Sequence, residues 1–190
     1  MKRKRLDYNS PVILTFFFLS LAVLVLDRVT SGWVTANLCS VYRSPIGPFF
    51  VVRLFGHVLG HAGVEHFMGN MLLLLVVGPP LEEKYGSRPL LAGIALTALV
   101  SGLLQCACFP STALLGASGI VFMLIMLSSL AGMRSGYLPV TLILVAVLYL
   151  GQEVYSILFI KDNVANFMHL VGGICGTGFG FAMLGRHSFS

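Results

Sequence analysis

Three short polar clusters stand inside otherwise apolar sequence, and their residue types are those of nucleophilic catalysis. The clusters contain His66 and Asn70, then Ser118, then His169. A hydroxyl nucleophile, an imidazole that takes its proton, and N–H groups that bind developing negative charge are the parts needed for acyl transfer. Whether these groups meet depends on the elements that carry them.

Ser118 lies between two glycines in the segment 116–119, which reads Gly-Ala-Ser-Gly. The soluble nucleophile elbow is Gly-x-Ser-x-Gly on a strand-to-helix turn, and this segment has neither that spacing nor that context. A serine at the start of a helix gains free backbone N–H groups that can stabilise an oxyanion. The alternative is a small residue at a helix contact, which is common in membranes.

His169 is an ionisable residue inside an apolar segment. Such residues are costly in a membrane and usually line a cavity or a site, although a hydrogen bond to a neighbouring helix is an alternative. Gly172, Gly176 and Gly180 follow at four-residue spacing, which permits close backbone approach to another helix. Packing against the helix of Ser118 would bring the imidazole within reach of the hydroxyl as a general base.

His66 and Asn70 are four residues apart, so they share one helix face, and both donate hydrogen bonds. The alternative is a polar pair that ties two helices together. His57 and His61 have the same spacing, but the metalloprotease motif requires Glu after the first histidine, where this chain has Val58. We predict no metal site, and the four cysteines lack redox or zinc spacing, so no cofactor is predicted.

Composition excludes an ordinary soluble globule. The chain has 190 residues, of which 57% are hydrophobic and 10% charged, and its mean hydropathy is +0.92. Soluble domains carry about 25% charged residues. We predict an all-α membrane protein with six transmembrane helices of roughly 20 residues each. The predicted segments are Pro11–Val29, Val64–Val77, Pro89–Cys106, Leu114–Gly132, Leu138–Ile160 and Phe167–Leu184.

Basic residues set the expected orientation. The N-terminal cluster of residues 2–5 directly precedes an apolar run, which is typical of a cytoplasmic flank. Nucleic-acid binding and a cleavable signal peptide are the alternatives, but the run is longer than the usual signal-peptide core and no clear cleavage site follows. We predict residues 1–10 as a basic cytoplasmic N-terminus, 11–185 as the membrane domain and 186–190 as a cytoplasmic tail.

With six spans and both termini cytoplasmic, eight Lys and Arg side chains fall on the inner side and four on the outer side, which is the expected bias. Spans two, four and six then run inward from the outer face. His66, Asn70, Ser118 and His169 fall in the first turns of those spans, within roughly 10 Å of the outer boundary at about 1.5 Å per residue. Catalytic side chains that lie at one depth in the membrane are typical of an enzyme that works inside a bilayer.

Together these residues resemble the rhomboid intramembrane serine proteases. The family pattern is H-x-x-x-x-H-x-x-x-N, then G-x-S-G, then a histidine followed by glycines, and it is matched from His61, from Gly116 and from His169. The turn after the second span is also similar to the family's, with Glu82 and the pair Gly86-Ser87 matching. The resemblance runs from about residue 53 to residue 180, which is most of the chain.

The resemblance implies a Ser118–His169 dyad without a third carboxylate. It implies His66, Asn70 and the Ser118 backbone N–H as the oxyanion site. Five further residues are expected to support helix packing around the site: Gly116, Gly119, Phe122, Gly172 and Gly176. Two positions depart from the family. Val52 precedes Arg53 where Trp is frequent, and Phe122 stands where bacterial members often have Tyr; its ring can still stack on His169.

The sequence therefore predicts an intramembrane serine endopeptidase that cleaves transmembrane segments of other membrane proteins near the outer face. Its expected partners are single-span or multi-span membrane substrates and the lipid bilayer, without nucleic acid, and its expected location is a prokaryotic plasma membrane. The alternatives are an inactive rhomboid-like binding or trafficking factor and a small transporter. Glu153, an acidic residue within the fifth segment, either bonds to a neighbouring helix, reaches toward the membrane interface, or borders the water-filled side of the site or the substrate entrance.

Overall fold

The computed structural model describes residues 7–42, 47–131, 137, 139–150 and 163–187. Side chains are described for all of these except 149–150, 163–166 and 184–187. These parts of the chain are almost entirely helical. The α-helices are α1 (Pro11–Val29), α2 (Pro48–Gly56), α3 (Val64–Tyr85), α4 (Ser87–Cys108), α5 (Ser118–Ala131), α6 (Val140–Val145) and α7 (Asn163–His187). Short π-helical turns occupy Thr35–Cys39 and Ala146–Leu150, and an isolated antiparallel bridge joins Val41 to Leu114.

Three of these helices, α1, α3 and α4, are long and apolar enough to cross a membrane. The helix α5 and the stretch Phe167–Met183 of α7 are apolar but shorter. The predicted all-α membrane fold is therefore confirmed in its class, and α1 has the predicted bounds. The second part of the predicted fifth span, from residue 151 onward and including Glu153, lies outside the described residues.

The second predicted span is too short, because α3 continues past Val77 to Tyr85 through Pro79 and Pro80. Proline removes a backbone donor and normally ends or kinks a helix. Here the last two turns bury Leu81, Glu82 and Tyr85, so packing with the rest of the fold outweighs the local preference. The helix ends at Gly86, whose φ of +85° lies in the left-handed region that glycine adopts without a steric cost.

Other helices also begin at residues that differ from the prediction, and α4 begins at Ser87 rather than Pro89. The helix α5 begins at Ser118 rather than Leu114, because Leu114 pairs with Val41 and Gly116 has a φ of +128°. The helix α7 begins at Asn163 rather than Phe167. His169 consequently lies in the second turn of its helix and not in the first.

The centre of the fold is α5, which contacts α3, α4, α6 and α7. Its side chains are apolar on all faces, as expected for a helix surrounded by others, and most of them are buried. The most extensive helix pair is α5 with α7. The buried core of α5 consists of Ile120, Val121, Met123, Leu124, Met126, Leu127 and Leu130.

The glycine face of α7 allows this pairing. A β-carbon at Gly172 would overlap the carbonyl oxygen of Gly119, and one at Gly176 would overlap that of Met123. A β-carbon at Gly180 would meet Leu130 Cδ1 at 2.5 Å. The predicted close backbone approach of these two helices is therefore confirmed, and it fixes the position of His169 relative to the start of α5.

Glu82 connects α1 to the turn between α3 and α4. Its carboxylate accepts hydrogen bonds from the backbone N–H groups of Val12 at 2.9 Å and Ile13 at 3.0 Å, and from the hydroxyl of Ser87 at 2.7 Å. The carboxylate thus satisfies two donors at the N-terminus of α1, where negative charge is favoured. This contact explains why Glu82 and Ser87 stand together in the matched turn.

Candidate active site

The four side chains predicted to do chemistry line one cavity of about 330 Å³ between α3, α5 and α7. His66 and Asn70 come from α3, Ser118 from α5 and His169 from α7. Asn70 is buried, and the other three are half-buried. The structure therefore brings these four side chains together, although they are up to 103 residues apart, from His66 to His169.

Ser118 is the first residue of α5, at the position where backbone donors are free. The carbonyl of the preceding residue, Ala117, accepts the hydrogen bond from the N–H of Val121 at 2.9 Å, so the helical ladder begins there. The N–H groups of the first helical residues, those of Ser118 and Gly119, have no acceptor within the helix. Donors of this kind can stabilise negative charge next to the serine oxygen.

Gly116 shapes the approach to Ser118. Its N–H donates to the carbonyl oxygen of His57 at 2.8 Å, and its φ of +128° is rarely adopted by other residues. A β-carbon at this position would lie 2.8 Å from Cε1 and 3.0 Å from Nε2 of His66. Glycine is therefore needed both for the backbone turn and for the space that the His66 ring occupies.

Two contacts between α7 and α5 set the position of the His169 imidazole. Its ring stacks on Phe122 with centroids 4.4 Å apart and planes 7° apart, so the stacking expected from the sequence is confirmed. One turn further along α7, Gly172 rests on the carbonyl of Gly119. Because both contacts are made by the first two turns of α5, they fix the imidazole relative to Ser118.

His66 and Asn70 present N–H groups to the same cavity. The Asn70 amide uses one N–H for the carbonyl oxygen of His66 at 3.0 Å and keeps its second N–H. The N–H of Ala62 donates to Nδ1 of His66 at 3.5 Å. A proton acceptor at Nδ1 assigns the ring proton to Nε2, which is the nitrogen that faces Gly116.

A buried polar row on α4 was missed by the sequence reasoning. Ser101 Oγ lies 3.2 Å from Nε2 of His57, and the Gln105 amide donates to the carbonyl oxygen of Thr112 at 2.5 Å. The carbonyl oxygen of His57 in turn accepts the hydrogen bond from the N–H of Gly116. The row therefore anchors the segment that leads into Ser118, and the four-residue spacing of Thr97, Ser101 and Gln105 in an apolar helix was the available signal.

His57 and His61 lie between α2 and α3 and are both buried. Burial lowers the pKa of His57 to about 4, against the opposing effect of the backbone carbonyls of Arg53 and Leu54. Burial, followed by repulsion from His66, lowers the pKa of His61 to about 4. Both rings are therefore neutral at pH 7 in the folded protein. Among the residues described, no three His, Cys, Asp or Glu side chains are grouped to hold a metal ion.

Arg53, which follows Val52 at the end of α2, is buried close to His57. Its guanidinium lies 5.0 Å from the centroid of the Tyr42 ring, and its carbonyl oxygen accepts from the N–H of His57 at 3.2 Å. Around it, α2 exposes Phe49, Val51, Val52 and Phe55. Val52, which stands where the resemblance leads one to expect Trp, is therefore part of an exposed apolar surface of α2.

Three helices long and apolar enough to cross a membrane, with a cavity between α3, α5 and α7 that contains two histidines, an asparagine and a serine, define a helical integral membrane protein with its candidate site between the helices. The Rhomboid domain family model matches residues 48–186, and the chain belongs to the rhomboid family. It is 31% identical over 170 residues to Rhomboid protease GlpG of Pectobacterium atrosepticum, covering 87% of this chain and 60% of that protein.

Animal relatives are similarly distant. The chain is 30% identical over 179 residues to Rhomboid-related protein 1 of Caenorhabditis elegans, covering 83% of this chain and 50% of the relative. It is 30% identical over 148 residues to Rhomboid-related protein 2 of Mus musculus, covering 69% and 47%. The chain thus spans roughly half to three fifths of the length of these relatives, and they come from bacteria and animals alike.

Proposed function

We propose that this chain is an intramembrane serine endopeptidase that cleaves transmembrane segments of other membrane proteins near the outer face. The observation that carries the proposal is the junction of α5 and α7. There, backbone contact at Gly172 and ring stacking on Phe122 hold His169 over the same cavity as Ser118. A histidine and a serine converging from two helices have the roles of base and nucleophile.

In the first step, Ser118 Oγ attacks the carbonyl carbon of the scissile peptide bond and its proton passes to the imidazole of His169. The tetrahedral intermediate collapses when the C–N bond breaks, and His169 returns the proton to the leaving amine. The product is an ester between Ser118 and the substrate's acyl group. A water molecule, deprotonated by the same imidazole, then attacks the ester and releases the carboxylic acid and the free hydroxyl.

The negative charge of the intermediate is stabilised by three donors: Nε2–H of His66, the second N–H of the Asn70 amide and the backbone N–H of Ser118. These donors belong to rigid elements, the first two turns of α3 and the start of α5. They need little reorganisation when charge develops, which is the main source of electrostatic catalysis. Substrate binding completes their geometry around the oxyanion.

The proposed topology has six spans with both termini cytoplasmic, within the limits 11–185. Spans two, four and six then begin at the outer face, so water reaches Ser118 from outside and the substrate enters sideways between helices. The proposed location is a prokaryotic plasma membrane. An inactive rhomboid-like binding factor is the alternative, but such relatives lose the serine or the histidine, and this chain keeps both.

The test is cleavage of a single-span membrane substrate by the purified protein in detergent. Ser118→Ala and His169→Ala are each expected to abolish cleavage while helicity and melting stay near those of the parent. Ser129→Ala is the matched control, because this hydroxyl bonds to the carbonyl of Ile125 within α5, away from the cavity. Substantial cleavage by either of the first two variants would contradict the dyad.

A further inference from the structure

One wall of the candidate active-site cavity is formed by a single face of α3. Glu65, Gly69 and Leu73 line the cavity at four-residue spacing, which places them above one another on the helix. A β-carbon at Gly69 would meet nothing within 4 Å, so the wall is open between the glutamate and the leucine. The cavity thus has a carboxylate at one end of this wall and an aliphatic side chain at the other.

Glu65 is an exposed residue in the first turn of α3 and immediately precedes His66. Within the described part of the chain, its carboxylate makes no hydrogen bond or ion pair, and it is the only acidic side chain that lines this cavity. Most of the remaining lining is apolar or uncharged, with Val121 and Phe122 contributed by α5. An unpaired carboxylate at the mouth of a largely apolar cavity is available to a ligand.

We propose that Glu65 is a specificity-determining residue, which favours substrates with a lysine or arginine next to the scissile bond and disfavours aspartate or glutamate there. The proposal rests on the proposed function, because it assigns a substrate contact to the same cavity. Lysine and arginine have long apolar stems with a charged end. Such a stem would lie along the open wall at Gly69 with its cation at the carboxylate.

Electrostatics gives the direction of the preference. A cation near Glu65 gains Coulomb attraction, whereas a like charge at the same place is repelled. Because Glu65 is exposed to water, the expected effect is that of a partly screened pair, and it decreases with rising ionic strength. The carboxylate therefore biases substrate choice by a modest factor.

A purely structural role for Glu65 makes a different prediction. Carboxylates in the first turn of a helix are favoured by the helix dipole, so removing Glu65 would weaken α3 and lower activity. That effect would reduce the cleavage of all substrates by the same factor. The ratio of kcat/KM between substrates that differ in one charge is insensitive to it, so this ratio is the decisive measurement.

The experiment uses the full chain and single-span substrates that are identical except for Lys, Ala or Glu at one position, placed on either side of the scissile bond in two series. In the series whose varied side chain enters this cavity, the Lys-to-Glu ratio of kcat/KM is expected to be about 2- to 5-fold lower in Glu65→Gln than in the parent. In Glu65→Lys it is expected to fall further and to favour the glutamate substrate. Raising the salt concentration is expected to reduce the parent ratio.

Glu83→Gln is the matched control, because Glu83 is an exposed carboxylate on the same helix, about five turns from Glu65 and more than two turns beyond Leu73. Its ratio is expected to equal that of the parent. Equal ratios in the parent, Glu65→Gln and Glu65→Lys in both series would overturn the proposal, even with Ser118-dependent cleavage intact. Cleavage that persists in Ser118→Ala would instead contradict the proposed function, so the two failures are distinguishable.

Discussion

The phenyl ring of Phe122 lies flat against the imidazole of His169, with ring centroids 4.4 Å apart and an angle of 7° between the planes. Phe122 is one helical turn beyond Ser118 on α5, so the helix that carries the serine also orients the histidine. A stacked aromatic pair restricts the ring plane without forming a hydrogen bond. The stacking therefore orients the imidazole through the face of its ring and not through its nitrogens.

Replacing Phe122 tests this orientation. Phe122→Leu keeps an apolar side chain but removes the stacking, which is worth about 0.5–1.5 kcal/mol in aromatic pairs. We expect kcat to fall roughly 2- to 12-fold with little change in KM, because the base is less well aligned in the transition state. Phe122→Tyr keeps the ring and is expected to retain most of the activity. A Leu variant with the parent kcat would show that stacking does not matter for proton transfer.

Asn70 and His66 offer side-chain donors to the same oxyanion, so their removal tests the second part of the site. Loss of one such donor typically costs on the order of 100- to 1000-fold in kcat. We expect Asn70→Ala and His66→Ala each to slow cleavage, by less than this range where the remaining donors compensate. Steady-state kinetics together with circular dichroism separates lost catalysis from lost folding. Full activity in the double variant would remove both residues from the mechanism.

Gly176 tests the packing of α7 on α5. A β-carbon there would overlap the carbonyl oxygen of Met123, so Gly176→Leu must push the helices apart. Overpacking of this kind costs about 1–3 kcal/mol or more, and we expect a lower melting temperature together with lower activity. Gly178→Leu is the control on the same helix, because a β-carbon there meets nothing within 4 Å. Equal melting of the two leucine variants would contradict close packing on this face.

The sequence predicts those parts of the site that depend on local spacing and on residue type. The glycine spacing from Gly172 to Gly180 indicates a close helix contact, and the four-residue spacing of His66 and Asn70 indicates a common face. Both follow from helix geometry alone. The partner of each face is a different matter: the shared depth and the glycines beside Ser118 favoured packing of α7 on α5, but no spacing within α7 specifies that partner.

What could not be predicted depends on contacts between distant segments. Local preference favoured a helix end before Pro79, but buried Leu81 and Tyr85 extend α3. The carboxylate of Glu82 bonds to backbone groups 69 and 70 residues away, which no pattern within α3 reveals. The contact of His57 with Ser101 likewise joins residues 44 positions apart. Only the fold shows that these polar groups have partners and that they support the approach to Ser118.

The neutral, buried state of His57 gives a prediction for stability against pH. Burial lowers the pKa of His57 from the ordinary value of 6.5 to about 4 in the folded protein. Between these values the unfolded chain binds a proton and the folded chain does not, so stability falls as pH decreases through this window. His61, with its pKa also lowered to about 4, adds to the slope. Above 6.5 neither group contributes a slope.

The measurement is the melting temperature in detergent between about pH 7.5 and about pH 5. We expect the parent to lose stability steadily over the lower part of this range. His57→Gln is expected to be less stable at the higher pH, because the contacts of the ring with Ser101 and with the Arg53 carbonyl are lost. Its melting temperature should nevertheless change less with pH, since one titrating group has been removed. His57→Gln combined with His61→Gln should flatten the profile further. A parent-like slope in the double variant would mean that other groups set the acid sensitivity. The pKa values of the two rings would then be the same in the folded and unfolded states.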